Sequence, residues 1–229
     1  MNWLYLILNL GSISIPLWYS FNPKMRFIQH WKKVLLSTSI VAIVFLIWDA
    51  VFTVQGVWGF NPDYYLGLKI LSMPIEEWLF FFCIPYASIF IHYALAYFAP
   101  KIMLGQLFTK VLIMIFLVMS LLLIFLNHDR SYTIVNYSFL AIAMFLGWMY
   151  GVSVLRRFFI SFMIILIPFF IVNGILTGTF IDAPVVWYNN EENLGVRLGT
   201  IPVEDIGYAF SMLFLNVLLL ERFKEKDIF

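Results

Sequence analysis

Charge is scarce in this sequence. Asp, Glu, Lys and Arg make up 12% of its 229 residues, about half the share found in an ordinary soluble domain. A globule of this length could not bury the apolar remainder, 63% of the chain at a mean hydropathy of +0.93, so the surplus must face lipid. The few charges nearly cancel, 14 Lys and Arg against 13 Asp and Glu, which leaves no basic footprint and excludes nucleic acid as a partner. A single cysteine, Cys83, rules out an internal disulfide and a thiolate cage and reads as a small buried hydrophobe. HExxH, Cys/His cages, GxGxxG and the phosphate-binding GxxxxGKS/T pattern are also missing, so no metal site and no cofactor is evident. His30 in a basic loop and His128 beside Asp129 and Arg130 read as solvated.

Present instead are seven windows close to the roughly 20 apolar residues that a spanning helix needs. They fall at 4–20, 34–53, 76–98, 103–126, 136–153, 157–175 and 204–221, which predicts an all-α integral membrane fold with seven transmembrane helices. No basic residue precedes the first window and no small-x-small site follows it, so it is expected to remain in the mature protein rather than leave as a signal peptide. Alternate loops carry Lys24, Arg26, Lys32, Lys33, Lys101, Lys110, Arg156, Arg157, Arg222, Lys224 and Lys226 on one side and only Lys69, Arg130 and Arg197 on the other. Because cations are retained inside, this predicts a multi-pass protein of the cell membrane with its N-terminus extracytoplasmic and its C-terminus cytoplasmic.

The chain also resembles itself. Ser72-Met73-Pro74-Ile75-Glu76-Glu77 and Thr200-Ile201-Pro202-Val203-Glu204-Asp205 share one pattern, and each opens an apolar span. Ahead of each motif come a basic pair, a span ending near a polar residue (Asp49 or Asn173), an aromatic loop and a Leu-Gly step. This ordered recurrence predicts a three-helix repeat over 1–98, a linker helix within 99–130 and a second three-helix repeat with a short cytoplasmic tail over 131–229. Three spans reverse the chain direction, so the added linker helix makes the two halves parallel. Both Pro-x-Glu motifs then start helices at the same, extracytoplasmic, face.

Acids at membrane depth carry the chemistry, since a charge at a helix centre costs about 2.5 to 3.5 kcal/mol on insertion scales. Asp49 is expected roughly one turn inside the outer boundary, at the depth where Glu76 and Glu77 enter the next helix; Asn173, Glu204 and Asp205 repeat the arrangement. Glu76, Glu77, Glu204 and Asp205 are therefore the candidate catalytic residues, with Asp49 and Asn173 in support. Interfacial helix-end charges are the plainer reading of these acids, and the recurrence of a polar partner on the preceding helix argues for a site. Neighbours on a helix point about 100° apart, so within Glu76-Glu77 one acid delivers a proton while the other is structural. Aromatics form 20% of the chain and crowd the first motif. Trp48, Trp58, Phe60 and Phe81 are the candidate walls of a substrate pocket, where ring faces would stabilise a cation shielded from water. Gly11, Gly147 and Gly151 are expected to allow close helix contacts. His92, about 22 Å along its helix from Glu77, is too far to join that site.

The run Gly56-Val57-Trp58-Gly59-Phe60-Asn61-Pro62-Asp63-Tyr64-Tyr65-Leu66-Gly67, followed by Pro74-Ile75-Glu76-Glu77-Trp78-Leu79-Phe80-Phe81-Phe82, resembles the integral-membrane lycopene cyclases. In that family two small homologous subunits, or one fused chain, form the enzyme, and the helix between the two halves here corresponds to the fusion. The second half departs from the first, with Asn173 for Asp49, Asp205 for Glu77 and Asp182-Ala183-Pro184-Val185-Val186-Trp187-Tyr188 in place of the Trp-Gly-Phe-Asn-Pro stretch. The halves either hold a competent acid each or share one asymmetric site. The resemblance implies proton-initiated cyclisation of lycopene, or a related linear carotenoid, to the β-ionone rings of γ- and β-carotene, without net redox change. An acid, a dry cation-tolerant wall and a base would suffice. It also implies the lipid bilayer as surroundings and other membrane enzymes of carotenoid synthesis as candidate partners. Glu76 or Glu77 is the expected proton donor, so a double Gln variant at 76 and 77 is expected to lose cyclisation. A three-one-three chain also describes small-solute transporters of the SWEET type, although their Pro-Gln turns are absent here. A retinal protein would need a lysine in the last span, and none occurs between Glu204 and Leu220.

Overall fold

The structure is a computed structural model that describes residues 2–225; Lys226 and the tail after it lie outside the described residues. Seven helices form among them: α1 (Leu4–Ser20), α2 (Trp31–Gln55), α3 (Ile75–Phe98), α4 (Gln106–Leu126), α5 (Ser131–Tyr150), α6 (Val152–Leu176) and α7 (Glu204–Glu225). Six are long and apolar enough to cross a membrane, and α1, at 17 residues, is the shorter seventh. Leu107, Phe125, Ile167 and many other large apolar side chains stand exposed on their outer faces. That surface suits lipid as solvent, because helices satisfy their own backbone groups.

The helix boundaries differ from the sequence reading most at the starts of α5 and α6, each five residues earlier than expected; α5 shows why. It starts at Ser131 rather than 136, because a distant loop caps it: the Ser131 amide donates to Glu192 Oε2 at 3.1 Å and the Tyr132 amide to the Glu192 carbonyl at 2.9 Å. First-turn amides have no partner inside their own helix, so a remote acceptor can extend the helix into polar sequence. At its other end α5 passes into α6 through Gly151 alone. Arg156 and Arg157 consequently sit inside α6 and not in a loop. Each donates to the connection between α3 and α4, Arg156 Nε to the Leu104 carbonyl at 2.7 Å and Arg157 Nη2 to the Pro100 carbonyl at 3.0 Å. Lys32 and Lys33 likewise begin α2.

Close helix contact holds for two of the three glycines. A methyl group on Gly147 would lie 2.4 Å from Leu155 Cδ1, and one on Gly151 would lie 2.8 Å from Leu218 Cδ1. Gly11 departs from the expectation. A methyl group there would meet no other group within 4 Å, because Gly11 borders a cavity and not a neighbouring helix.

The connections carry three short antiparallel ladders that periodicity did not reveal. In the first half β2 (Lys69–Ile70) pairs with β3 (Met73–Pro74), Lys69 opposite Pro74; in the second β5 (Arg197–Leu198) pairs with β6 (Ile201–Pro202), Arg197 opposite Pro202. Each hairpin delivers its proline to the start of α3 or α7. The third ladder joins the halves: β1 (Trp58–Phe60) runs against β4 (Val186–Tyr188) with Trp58 opposite Tyr188, Gly59 opposite Trp187 and Phe60 opposite Val186. Gly59 is required here, since a methyl group on it would fall 2.3 Å from the Trp187 ring.

Candidate active site

The hairpins fix the direction of four acids. In the first half the Leu66 amide donates to Glu76 Oε1 at 2.8 Å; in the second the Leu194 amide donates to Glu204 Oε1 at 2.7 Å. Each glutamate is fully buried and ties the loop before its hairpin to the first turn of its helix. Asn9 adds a bond to the Glu76 carbonyl at 2.7 Å, and Thr133 one to Glu204 Oε1 at 2.9 Å. The next residue along, Glu77 or Asp205, is rotated by about 100° and faces elsewhere.

What it faces is a cavity of about 690 Å³. Asp49 and Glu77 from the first half and Asn173 and Asp205 from the second all line it, so residues of both halves meet on one chamber. Asp49 and Glu77 are in side-chain hydrogen-bond contact with one another. Asp49 Oδ1 accepts from Trp58 Nε1 at 2.7 Å, and Glu77 accepts from the Tyr5 hydroxyl. From the second half, Asp205 accepts from Tyr132 at 2.5 Å, Asn173 Nδ2 at 2.8 Å and Tyr188 at 3.0 Å. The acids thus differ in company: one pair of carboxyls shares a hydrogen bond, whereas the third is filled by three donors. Tyr188 lies in the connection outside the helices, where burial, reinforced by the adjacent Asp205, holds its phenol protonated well above the ordinary tyrosine range.

The β1–β4 ladder caps this end of the chamber through Trp58, Phe60, Val186 and Tyr188. From there the wall turns apolar. On α3 it runs through Glu77, Phe80, Ile84, Ala87 and Ile91, the spacing of one helix face, over about 21 Å. Facing it are Leu8, Gly11 and Pro16 of α1, Pro168 and Val172 of α6, and Met212 of α7. Ser12 breaks this surface little, since its hydroxyl is turned back to the Leu8 carbonyl at 2.7 Å. Ile7, Ile15 and Ile171 line the cavity and remain exposed, so the chamber opens sideways along α1 and α6.

Of the ten residues singled out from sequence, Asp49, Glu77, Asn173, Asp205, Trp58 and Phe60 border the chamber; Glu76, Glu204, Trp48 and Phe81 do not. Trp48 stands behind the wall, packed against the Trp58, Phe139 and Tyr208 rings. Phe81 is buried in the helix core, and its neighbour Phe80 takes the wall position. His92 follows the wall residue Ile91 but does not itself line the chamber, and it is buried against Ser161 at 2.7 Å. Sequence reasoning missed the phenols that hold the acids. The signal was available: Tyr5 and Asn9, and Tyr132 and Asn136, form a Tyr-x-x-x-Asn pair at the head of the first helix of each half. Among the described residues no group of three or more His, Cys, Asp and Glu side chains is placed to hold a metal ion.

An apolar chamber, open along a lipid-suited helix face and ended by buried carboxyls, defines an integral membrane protein built around an acid site. The sequence matches the family model described as lycopene cyclase twice, over residues 2–95 and 129–223. The chain belongs to the lycopene cyclase family, and the double match carries the internal repeat. Membership makes it an enzyme of carotenoid cyclisation working in lipid on a carotenoid substrate. No curated protein and no solved structure matches it.

Proposed function

We propose that this protein closes β-ionone rings on lycopene or a related linear carotenoid, yielding γ- and β-carotene by acid–base isomerisation with no net redox change. One observation carries the reading: an apolar chamber lined by Asp49 and Glu77 from one half and Asn173 and Asp205 from the other. An ionised carboxylate has only acceptors, so two carboxyls in hydrogen-bond contact need a proton between them. The Asp49–Glu77 pair is therefore the donor, with Glu77 delivering the proton to the terminal alkene carbon. A neighbouring alkene attacks the tertiary cation, and the ring carbon then loses a proton to Asp205, whose three donors suit it to receive charge from the cation. Trp58, Phe60 and Tyr188 supply ring faces beside that cation. Glu76 and Glu204 hold the loops, Trp48 backs the wall, and no cofactor is needed for the proton steps.

The reading extends to architecture. We infer seven crossings of the cell membrane and two parallel three-helix repeats, 1–98 and 131–229, joined by a linker within 99–130, with the N-terminus extracytoplasmic. The antiparallel β1–β4 register, centred on Gly59 and Trp187, is what a two-fold relation between parallel halves would produce, and the cation count supports the orientation. A SWEET-type transporter, the other reading of such a chain, is not favoured by the family match. The test is expression in a host that accumulates lycopene, followed by chromatography of the pigments. Mono- and bicyclic carotenes are expected, and unaltered lycopene would reject the proposal.

A further inference from the structure

Ring closure leaves the enzyme out of balance, and this inference rests on the cyclisation reading above. In each closure the alkene carbon gains a proton from the Asp49–Glu77 pair, a carbon–carbon bond forms, and the ring carbon surrenders a proton to Asp205. The substrate is isomerised, while one carboxyl site is a proton short and the other holds one too many. No oxidant or reductant is involved. Before the next closure the proton must cross from Asp205 to the pair, either within the chamber or through solvent.

Four tyrosines line the chamber, and three have committed their hydroxyls: Tyr5 to Glu77, Tyr132 and Tyr188 to Asp205. The fourth, Tyr208, has no hydrogen-bond partner for its hydroxyl among the described residues. It stands on α7 three residues after Asp205, on the same helix face. It borders the same chamber as Asp49, Glu77 and Asp205, so donor pair, acceptor and phenol share one enclosed space. Its ring is braced by Phe45 and Trp48, with centroids 5.2 and 5.1 Å away in edge-to-face packing. Trp48 thereby gains a role despite its absence from the wall. A phenol is donor and acceptor at one atom, which is the property a relay requires.

We propose that Tyr208 resets the site by proton return: its oxygen takes the proton from Asp205 as its own hydroxyl proton passes to Glu77. One O–H bond breaks and one forms on each side of the phenol, which ends unchanged. The competing route leads outward through Tyr188, over whose ring the Arg197 guanidinium lies at 5.8 Å.

Isotope retention separates the two. Membranes holding the full-length protein are equilibrated in D2O, given protiated lycopene, and the rings are analysed by mass spectrometry over many turnovers. Internal return hands abstracted protium, by way of the phenol, to later substrates, so over many turnovers wild-type rings are expected to carry less than one deuterium each. In Tyr208→Phe turnover should fall by about tenfold or more, with deuterium per ring rising toward one as solvent becomes the source. Tyr188→Phe should keep the low wild-type deuterium content. One deuterium in every wild-type ring, or wild-type rate and content in Tyr208→Phe, would overturn the assignment, as would a rise confined to Tyr188→Phe. The wild-type measurement stands even if a variant fails to fold. Absence of any ring from the wild type would instead overturn the cyclisation reading itself.

Discussion

Glu76 and Glu77 are adjacent and both buried, yet only Glu77 reaches the chamber. Their amide variants should therefore part company. Glu76→Gln keeps an oxygen that can accept from the Leu66 amide, so it is expected to fold and to cyclise within a few-fold of wild type. Glu77→Gln should lose about 10²- to 10⁴-fold, the usual contribution of a positioned acid, measured as initial rate of carotene formation in isolated membranes. Equal losses at the two positions would contradict the division of roles. The sequence brought both acids out but could not choose between them. That choice depends on which carboxyl the Leu66 and Leu194 amides capture, a contact made ten residues away through a hairpin. Phe81 was misplaced for a smaller reason: stepping along α3 from Glu77 by three and four residues leads to Phe80, Ile84, Ala87 and Ile91 without touching it.

At the scale of elements, two glycines that look alike in sequence sit in opposite surroundings. Gly147 is pressed against Leu155 and the Phe214 ring, whereas Gly11 borders open space on the chamber wall. Gly147→Leu should destabilise the helix packing, with about 1 to 3 kcal/mol expected from overpacking, seen as a lower melting temperature in detergent. Gly11→Leu should leave that temperature unchanged while narrowing the chamber and slowing cyclisation. A drop in stability for Gly11→Leu together with normal activity would show that the wall has been misread. Helices were legible because twenty apolar residues admit few alternatives; the ladders were not. Two- and three-residue strands have no periodicity to detect, and the start of α5 depends on Glu192, some 60 positions downstream.

For the molecule as a whole, neither half supplies all the polar residues of the chamber. Asp49 and Glu77 lack a facing Asp205 without the second half, and the β1–β4 cap needs a strand from each. A chain divided between 101 and 105, with both pieces expressed together, is expected to regain cyclisation, because α4 packs on α5 and α6 and stays with the second piece. Either piece alone should leave lycopene unaltered in the pigment profile. Activity from one piece would mean that the acids act in separate sites. The duplication was legible in the Pro-x-Glu motifs. Whether the two copies converge on a single chamber was left open by the sequence, since it follows from how the loops pair across the halves.

The sideways opening along α1 and α6 has a consequence for a long molecule with two equivalent tips. On the proposed reading, with one set of acids in one chamber, each visit finishes only a single tip. The half-processed pigment has to back out into the bilayer, turn end for end and dock again before its other tip can react. Lipid fluidity and the amount of fresh competitor then govern how often the second round follows the first.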